Sequence, residues 1–291
     1  MVTMPNKKES QIALEIYEAK AKERNRTPPR GYLGMSEIGK PCSRAIWYSW
    51  RKFTPMPWDG RALLIFEMGD SVEKIMVKSL RRAGYEMKHA YPDEQMAFSD
   101  HGGFFAGHCD GLIKLHSKEG QPWGVFECKS ANKNKFEEFQ AHGLEKANPA
   151  YWCQLQAYMG YSGHEYGLFA AMGKNDSQIY TEVVRFNSDA FVMIRARALS
   201  IITTHKEDGR QNIPDKAFDD EKSVECKWCD YRQHCWEPKD AIQEWQSCLS
   251  CHYLQIDPAS GCVPKCIKHS VQLEDIRRAC PDWSFIGRTP F

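Results

Sequence analysis

The sequence predicts an α/β fold in which helices flank one mixed β-sheet. Helical patterns fill the first third of the chain, and three strand-like segments then follow one another. A pair of helices separates these segments from two further strand-like segments and a last helix. This order favours an α/β sandwich built on a mixed sheet.

The first third of the chain predicts three helices, over 8–25, 36–52 and 61–82. Ser36 followed by Glu37 can cap the second helix. The third helix has apolar residues spaced for one buried face, namely Leu64, Met68, Val72, Ile75, Met76 and Leu80. The first of these segments, with Ile12, Leu14 and Ile16 among charged residues, is expected to be an amphipathic helix.

Trp47 and Trp50 of the second predicted helix permit two interpretations. They lie three positions apart, so they share a face and can fill the hydrophobic core. Basic residues stand beside them, however, and a basic aromatic face is typical of contact with single-stranded DNA. We prefer the core interpretation and keep the DNA-contacting face as the alternative.

The middle of the chain predicts the sheet. Strand patterns occur over 85–98, 104–115 and 123–130, and a hairpin is expected over 165–174 and 178–186. Helices are expected over 134–146, from Pro149 onward, and over 188–205. The strands therefore come in two groups, with two helices between them.

Composition limits the class of protein. The chain has 291 residues, with 39 basic and 38 acidic side chains and a formal charge of +1, which excludes a polyelectrolyte grip on nucleic acid but not a local basic groove. No apolar run is long enough to span a bilayer, and the N-terminus lacks the apolar core of a signal peptide. We therefore expect a soluble cytoplasmic protein without membrane contact. Twelve cysteines in such a chain indicate metal binding rather than disulfides.

The second and third predicted strands carry a candidate catalytic site. Antiparallel pairing across a short turn would bring Asp110 beside Glu127. Glu127 and Lys129 are two positions apart and share one face of the strand, whereas Cys128 points away. Two carboxylates and one ammonium suit Mg²⁺ or Mn²⁺ and hydrolysis of a phosphate ester. On these residues alone, a solvated hairpin with a surface ion pair is the better interpretation.

Two helical motifs accompany this hairpin. Gln154 and Tyr158 are four positions apart, so their side chains lie on one helix face. Glu73 lies in the predicted helix over 61–82, where periodicity alone favours a surface charge.

Eight of the cysteines fall in the last quarter of the chain. Cys226, Cys229 and Cys235 are spaced as metal ligands, and the fourth ligand could be His234, a downstream cysteine or Cys42. Spacing does not decide between zinc and an iron–sulfur cluster. Further along, Cys248-Leu249-Ser250-Cys251 and later cysteines form a zinc signature with more candidates than places.

These motifs together resemble a known family. Asp110, Glu127-Cys128-Lys129 and Gln154-x-x-x-Tyr158 resemble the PD-(D/E)xK nucleases of the RecB-like branch, and Gly69-x-x-x-Glu73 falls where that branch has a Gly-x-x-x-His or Glu element. The cysteines resemble the iron–sulfur staple of AddB-type and CRISPR-associated adaptation nucleases, through Cys42, Cys226, Cys229 and Cys235. The resemblance covers residues 34–236.

The resemblance implies a role for each residue of the site. Asp110, Glu127, the Cys128 carbonyl and Glu73 would ligate one or two Mg²⁺ or Mn²⁺ ions. Lys129 would position or activate the attacking water. Gln154 and Tyr158 would orient the site or the DNA backbone.

It also implies two further metal centres and a domain division. Cys42, Cys226, Cys229 and Cys235 would hold a 4Fe-4S cluster that closes a nuclease domain over residues 1–239. Residues 240–291 would form a small zinc module. Similar tails of phage-type nucleases favour Cys248, Cys251, Cys266 and Cys280 as ligands, with Cys262, His252 and His269 in reserve.

The function implied by the resemblance is a metal-dependent DNA exonuclease of recombination, repair or phage DNA metabolism. If the chain is phage-encoded, its place is the host cytoplasm. DNA is the expected substrate, with a recombination or single-strand-binding protein as a further partner, and relatives that form rings leave a homo-oligomer open. The alternatives are a catalytically silent DNA-binding adaptor on a nuclease fold and a CRISPR-adaptation nuclease. An electron-transfer protein is a weaker alternative because the chain has no motif for a partner cofactor.

Overall fold

The computed structural model describes residues 10–24, 29–52, 59–115, 121–204, 213–236, 246–284 and 286. The short turn predicted between the second and third strand patterns lies outside these residues, at 116–120. No helix within the described ranges is long and apolar enough to cross a membrane.

The helices and strands follow the predicted order with several added short elements. The helices are α1 (Gln11–Arg24), α2 (Ser43–Trp50), α3 (Gly60–Arg82), α4 (Lys133–Ala147), α5 (Pro149–Ser162), α6 (Ser188–Thr203), α7 (Val224–Lys227) and α8 (Arg232–Trp236). The strands are β1 (Leu33–Gly34), β2 (Glu86–Lys88), β3 (Ala97–Asp100), β4 (Phe105–His108), β5 (Gly111–Lys114), β6 (Gly124–Ala131), β7 (Tyr166–Gly173), β8 (Ile179–Arg185), β9 (Leu254–Asp257), β10 (Val263–Cys266) and β11 (Val271–Gln272).

The largest sheet has five strands in the order β2-β5-β6-β7-β8. Strands β6 and β7 are parallel and the other neighbours are antiparallel, so the predicted mixed sheet is confirmed. Helix α3 packs Val72 and Met76 on one face of this sheet. Helices α4 and α5 pack Phe139 and Leu155 on the other face. The structure is therefore a mixed α/β fold with helices on both sides of its central sheet.

Two of the predicted strands are wrong as single elements. Residues 85–98 form β2 and β3, and residues 104–115 form β4 and β5. In each case the first and second pieces belong to different sheets, because β3 and β4 pair with each other, and β4 also pairs with β1, in a separate three-stranded sheet. Pro92 lacks the N–H that a continuous strand would donate, and this interrupts the first segment.

Gly111 explains the break in the second segment. Its φ is 155°, and a Cβ at this position would lie 2.6 Å from the Cβ of Ala90. A side chain cannot be accommodated without a shift, so glycine permits the chain to bend directly after Asp110. The bend separates β4 from β5 and places Asp110 at the start of the central sheet.

The helix predicted over 36–52 begins later than expected. Residues 35–37 form a 3-10 turn, and α2 begins at Ser43 with Cys42 as its N-cap residue. Pro41 disfavours a helical conformation for Lys40, so the helix cannot continue from Ser36. Trp47 and Trp50 are both fully buried, which confirms their core interpretation.

The predicted buried face of α3 is only partly correct. Val72 and Met76 are buried, but Met68 and Ile75 are about half exposed, at 47% and 51%. The buried stripe instead includes Val77. One face of α3 therefore remains open to solvent beside the candidate site.

The C-terminal segment packs directly on α2. Leu249, Leu254 and Ile256 belong to the same hydrophobic core as Trp47. Arg51 is 2% exposed, and its guanidinium donates hydrogen bonds to the carbonyl oxygens of Leu249 and Cys251, both at 2.7 Å. This segment thus gains its burial from the rest of the chain as well as from its own small sheet of β9, β10 and β11.

Candidate active site

The β5–β6 hairpin places the two predicted carboxylates side by side. The register pairs Gly111 with Phe126, so Asp110 and Glu127 are the next positions along the two strands. The backbone N–H of Cys128 donates a 2.7 Å hydrogen bond to Asp110 Oδ2. One carboxylate oxygen of Asp110 is thereby fixed to the strand that carries Glu127.

Strand alternation separates the polar and apolar side chains of β6. Glu127 and Lys129 share one face and form an ion pair through Glu127 Oε1. Cys128 lies on the opposite face, among the apolar residues packed under α3. The sequence prediction for these three residues agrees with this geometry.

Helix α5 covers Glu127. The amide nitrogen of Gln154 donates to Glu127 Oε1 at 2.8 Å and to the Tyr158 hydroxyl oxygen at 3.1 Å. Tyr158 fits tightly, because a Cβ on Gly107 would lie 2.9 Å from its hydroxyl oxygen. Because Gln154 and Tyr158 are four residues apart, they lie on the same face of α5, and Gln154 can bond both Tyr158 and Glu127.

Glu73 of α3 approaches the same site. It is half-buried rather than fully exposed, and Gln95 Nε2 donates a 2.9 Å hydrogen bond to its Oε1. Burial and the nearby charge of Asp110 raise the pKa of Glu73 to about 7. The expectation of a plain surface charge, drawn from periodicity alone, is therefore wrong.

Crowding and burial raise the pKa of all three carboxyl groups. Burial and the charge of Asp110 raise the pKa of Glu127 to about 8, against the opposing effect of Lys129. Burial also raises the pKa of Asp110 despite its hydrogen bond from Cys128. Burial lowers the pKa of Lys129, but the two carboxylates raise it more, so Lys129 is held as an ammonium. A cation bound among these groups would relieve the repulsion between the carboxylates.

The donor atoms fit a hard divalent cation. Glu127 is fully buried, and its Oε2 has no hydrogen-bond partner among the described residues. The amide oxygen of Gln154 is also buried without a partner in the described part of the chain. Oxygen ligands of this kind are those that Mg²⁺ and Mn²⁺ prefer.

The first cysteine group lines one cavity. Cys42, Cys226, Cys229 and Cys235 all face a cavity of about 420 Å³. Arg44 Nη1 donates to Cys235 Sγ at 3.8 Å, and its Nε donates to the Pro214 carbonyl oxygen at 2.6 Å. His234 does not line this cavity, so the distant Cys42 is the better fourth candidate.

The position of Cys42 is fixed from α6. Arg197 Nη1 donates to the Ile38 carbonyl oxygen and its Nη2 to the Lys40 carbonyl oxygen, each at 2.7 Å. These bonds hold the loop that leads into α2. Cys42 is thus brought next to a segment that lies 184 positions further along the chain at Cys226.

The second cysteine group lines a smaller cavity of about 130 Å³. Cys248, Cys251, Cys266 and Cys280 face it together with His269. The Nε2 of His269 lies 3.9 Å from Cys280 Sγ. The two other reserve ligands, Cys262 and His252, do not line this cavity.

These cavities do not yet amount to metal centres. Among the described residues, no group of three or more His, Cys, Asp or Glu side chains is arranged to hold a metal ion, and this includes Asp110, Glu127 and Glu73. The Mg²⁺ or Mn²⁺ site at the carboxylates is therefore also a prediction. The thiols of each group surround a common space instead of converging on one point. The iron–sulfur and zinc assignments are therefore not confirmed and remain predictions, as does the domain boundary at residue 239.

Two residues of the site were missed in the sequence. Gln95 reaches Glu73 from a loop whose path no local pattern reveals. Tyr151 lies one helical turn before Gln154, and Lys129 Nζ is 5.2 Å from its ring centroid. The three-residue spacing from Gln154 was the available signal for Tyr151.

Comparisons with known proteins gave distant structural likenesses. No family model matches the chain, and no curated protein matches it. An alkaline exonuclease from Laribacter hongkongensis (LHK-Exo) is similar over 65% of this chain and 90% of its own, with 15% identity and a TM-score of 0.41.

Two other solved structures are comparably distant. The protein SSO0001 is similar over 76% of this chain and 95% of its own, with 16% identity and a TM-score of 0.43. A phage-related exonuclease from Haemophilus somnus 129PT is similar over 62% of this chain and 94% of its own, with 13% identity and a TM-score of 0.39.

Proposed function

We propose that this chain is a metal-dependent deoxyribonuclease that hydrolyses phosphodiester bonds in DNA. The observation that carries the proposal is the convergence of Asp110, Glu127 and Lys129, with one buried Glu127 oxygen lacking a hydrogen-bond partner among the described residues. The exonuclease mode and a role in recombination, repair or phage DNA metabolism follow from the sequence resemblance.

The cation site would consist of oxygen ligands only. Asp110, Glu127, Glu73 and the Cys128 carbonyl would hold Mg²⁺ or Mn²⁺. The bound cation supplies a water of lowered pKa and offsets negative charge on the phosphate. The crowded carboxyl groups of Glu73 and Glu127 have raised pKa values, and a bound cation would stabilise their ionised forms.

Lys129 has the second chemical role. Its ammonium is held beside Glu127 and can orient the attacking water or stabilise negative charge on the phosphate oxygens. Water oxygen forms the new bond to phosphorus and loses one proton to the solvent, the bond to the leaving oxygen breaks, and the leaving oxygen takes up one proton from the solvent.

The α5 residues position rather than react. Gln154 fixes Glu127 Oε1 and is itself fixed by Tyr158. This arrangement leaves Glu127 Oε2 without a hydrogen-bond partner among the described residues, and so free to bind a cation, while Oε1 keeps its hydrogen bonds. Preorganised ligands of this kind reduce the cost of binding the cation.

The proposal extends to the two cysteine groups. The four thiols that line the larger cavity fit a 4Fe-4S cluster or a zinc ion, and the resemblance favours the cluster. The smaller cavity, with four thiols and one imidazole, fits zinc. Both groups would be structural, since they would tie distant segments of the chain together.

A nuclease assay tests this function. The protein, purified without oxygen, is incubated with linear single- and double-stranded DNA labelled at the 5′ or 3′ end, in Mg²⁺, Mn²⁺ or EDTA. Asp110→Ala is the test variant, and Asp189→Ala, which changes an exposed aspartate on α6, is the matched control.

We expect the wild-type protein to cleave DNA with Mg²⁺ or Mn²⁺ and not with EDTA. Asp110→Ala should lose this cleavage, and Asp189→Ala should keep it. The ladder of products gives the polarity and separates exonuclease from endonuclease activity. If folded wild-type protein binds DNA but cleaves no substrate, the adaptor function replaces the nuclease.

A further inference from the structure

Two lysines of α3 lie against one tyrosine beside the carboxylate site. Lys74 Nζ is 5.3 Å and Lys78 Nζ 5.5 Å from the centroid of the Tyr91 ring. The lysines are four positions apart and share one exposed face of the helix. Two positive charges therefore stand together on a single aromatic ring.

The charge of this pair is not neutralised by the described part of the chain. Neither Lys74 nor Lys78 forms an ion pair with a carboxylate there. Asp93, in the same loop as Tyr91, is engaged by Arg81 at 3.3 Å. Two neighbouring ammonium groups without an acidic partner favour an anionic ligand.

The tyrosine is held in a fixed position relative to the carboxylates. Arg81 Nη1 donates a 2.6 Å hydrogen bond to the Tyr91 carbonyl oxygen. From the same loop, Gln95 donates to Glu73, which directly precedes Lys74 on α3. The loop is thus tied to α3 on both sides of the exposed segment at Pro92–Glu94.

We propose that Lys74, Lys78 and Tyr91 form a phosphate subsite for a DNA strand next to the carboxylate site. The subsite rests on the proposed nuclease function, because the ligand must extend from the carboxylates to α3. A nucleic acid carries one phosphate per nucleotide, and Lys74 directly follows Glu73 on α3, so we expect a phosphate near the reacting one to meet the lysines. The Tyr91 ring keeps the two ammonium groups together by cation–π attraction.

The salt dependence of DNA binding tests the subsite. Binding of a short fluorescent single-stranded oligodeoxynucleotide is measured by anisotropy in Ca²⁺, at salt concentrations from about 50 to about 200 mM. The variants are Lys74→Gln/Lys78→Gln and Tyr91→Leu. Lys265→Gln removes one charge from the exposed C-terminal segment and serves as the control, and thermal melting confirms that each variant is folded.

Each lysine that contacts a phosphate contributes about 0.7 to the slope of log affinity against log salt for a single strand. The double variant should therefore have a slope smaller by about 1.4, so that wild-type affinity falls about sevenfold more over this range. Tyr91→Leu should weaken binding with a smaller change in slope, and Lys265→Gln should behave as wild type.

The outcomes separate the subsite from the nuclease. A double variant with the wild-type slope and affinity overturns the subsite, even where the wild-type protein cleaves DNA. If the double variant has a reduced slope but the wild-type protein cleaves no DNA, the subsite is supported and the nuclease function is overturned. A wild-type protein that does not bind the oligonucleotide overturns both.

Discussion

The carboxylate site and the cysteine cavities are built in opposite ways. At the carboxylate site, protein groups already hold one another, as Gln154 holds Glu127 and Cys128 N–H holds Asp110. At the larger cavity, four thiols from segments far apart in sequence surround an open space. Hydrogen bonds within the fold therefore hold the carboxylates of the first site, whereas the second would gain its final geometry from a bound metal group. Loss of a ligand should accordingly affect catalysis at the first and folding at the second.

Cys229→Ala should have the largest effect. It tests whether loss of a ligand at the larger cysteine cavity destabilises the fold. Loss of one thiol should remove the metal group and lower stability by about 4 kcal/mol, the upper range for a single substitution. For a chain of this size that corresponds to a fall in melting temperature of about 8–16 °C. Visible absorbance, iron content and thermal melting measure it.

Cys153→Ala is the matched control, because Cys153 is half-buried and does not line the cavity. We expect it to keep the absorbance and most of the stability. A stable Cys229→Ala variant with full absorbance would disprove the staple. A colourless wild-type protein containing zinc would assign zinc to this cavity.

Lys129→Ala should give the next largest effect and tests the catalytic half. Removal of the ammonium should reduce the rate of DNA cleavage by about 10²–10³-fold, as for loss of one charge-stabilising group. DNA binding and any cluster absorbance should change little. Lys146→Ala, on the exposed side of α4, is the control. Undiminished cleavage by Lys129→Ala would exclude this lysine from the mechanism.

Cys280→Ala should have a smaller effect that is confined to the C-terminal segment. Loss of this ligand should release one zinc ion and expose the segment to limited proteolysis, while Arg51 still anchors its Leu249 and Cys251 carbonyl groups. We expect a destabilisation of about 2 kcal/mol, because part of the segment is packed on α2. Zinc content and the rate of tail cleavage measure it.

His269→Ala decides which residue near Cys280 is the ligand. We expect this variant to retain its zinc, since Cys248, Cys251, Cys266 and Cys280 already supply four ligands. Zinc loss from His269→Ala but not from Cys280→Ala would exchange their roles.

Tyr151→Leu should have the smallest effect and refines the account of the carboxylate site. Its ring lies 5.2 Å from Lys129 Nζ and limits where the ammonium can lie. A cation–π contact contributes about 0.5–2 kcal/mol, so cleavage should slow by about tenfold with little change in DNA affinity. Tyr151→Phe keeps the ring and should restore the rate. If Tyr151→Leu and Tyr151→Phe cleave DNA at the same rate, the ring of Tyr151 does not position Lys129.

The site could be predicted from sequence where strand and helix geometry act locally. The alternation along β6 put Glu127 and Lys129 on one face, and the four-residue spacing paired Gln154 with Tyr158. The pairing of Asp110 with Glu127 required only a hairpin. These contacts depend on neighbours in sequence, or on one antiparallel pairing.

The features that depend on distant contacts could not be predicted in this way. The break at Asp110 arises because Gly111 passes close to Ala90, and strand propensity contains no information about that contact. Met68 and Ile75 have the spacing of a buried face, yet the sheet covers Val77 instead. The burial of Arg51 follows from the docking of the C-terminal segment, which no motif indicated.

Direct measurement of cation binding tests the central claim, that the carboxylates form a divalent metal site before DNA is present. Mn²⁺ is titrated into wild-type protein and into Glu127→Gln, with free Mn²⁺ followed by electron paramagnetic resonance, and Glu145→Gln on the exposed side of α4 as control. We expect saturable binding by the wild type and by Glu145→Gln, and a loss of at least about tenfold in affinity for Glu127→Gln. Equal binding by Glu127→Gln and the wild type, or no saturable binding by folded wild-type protein, would contradict it.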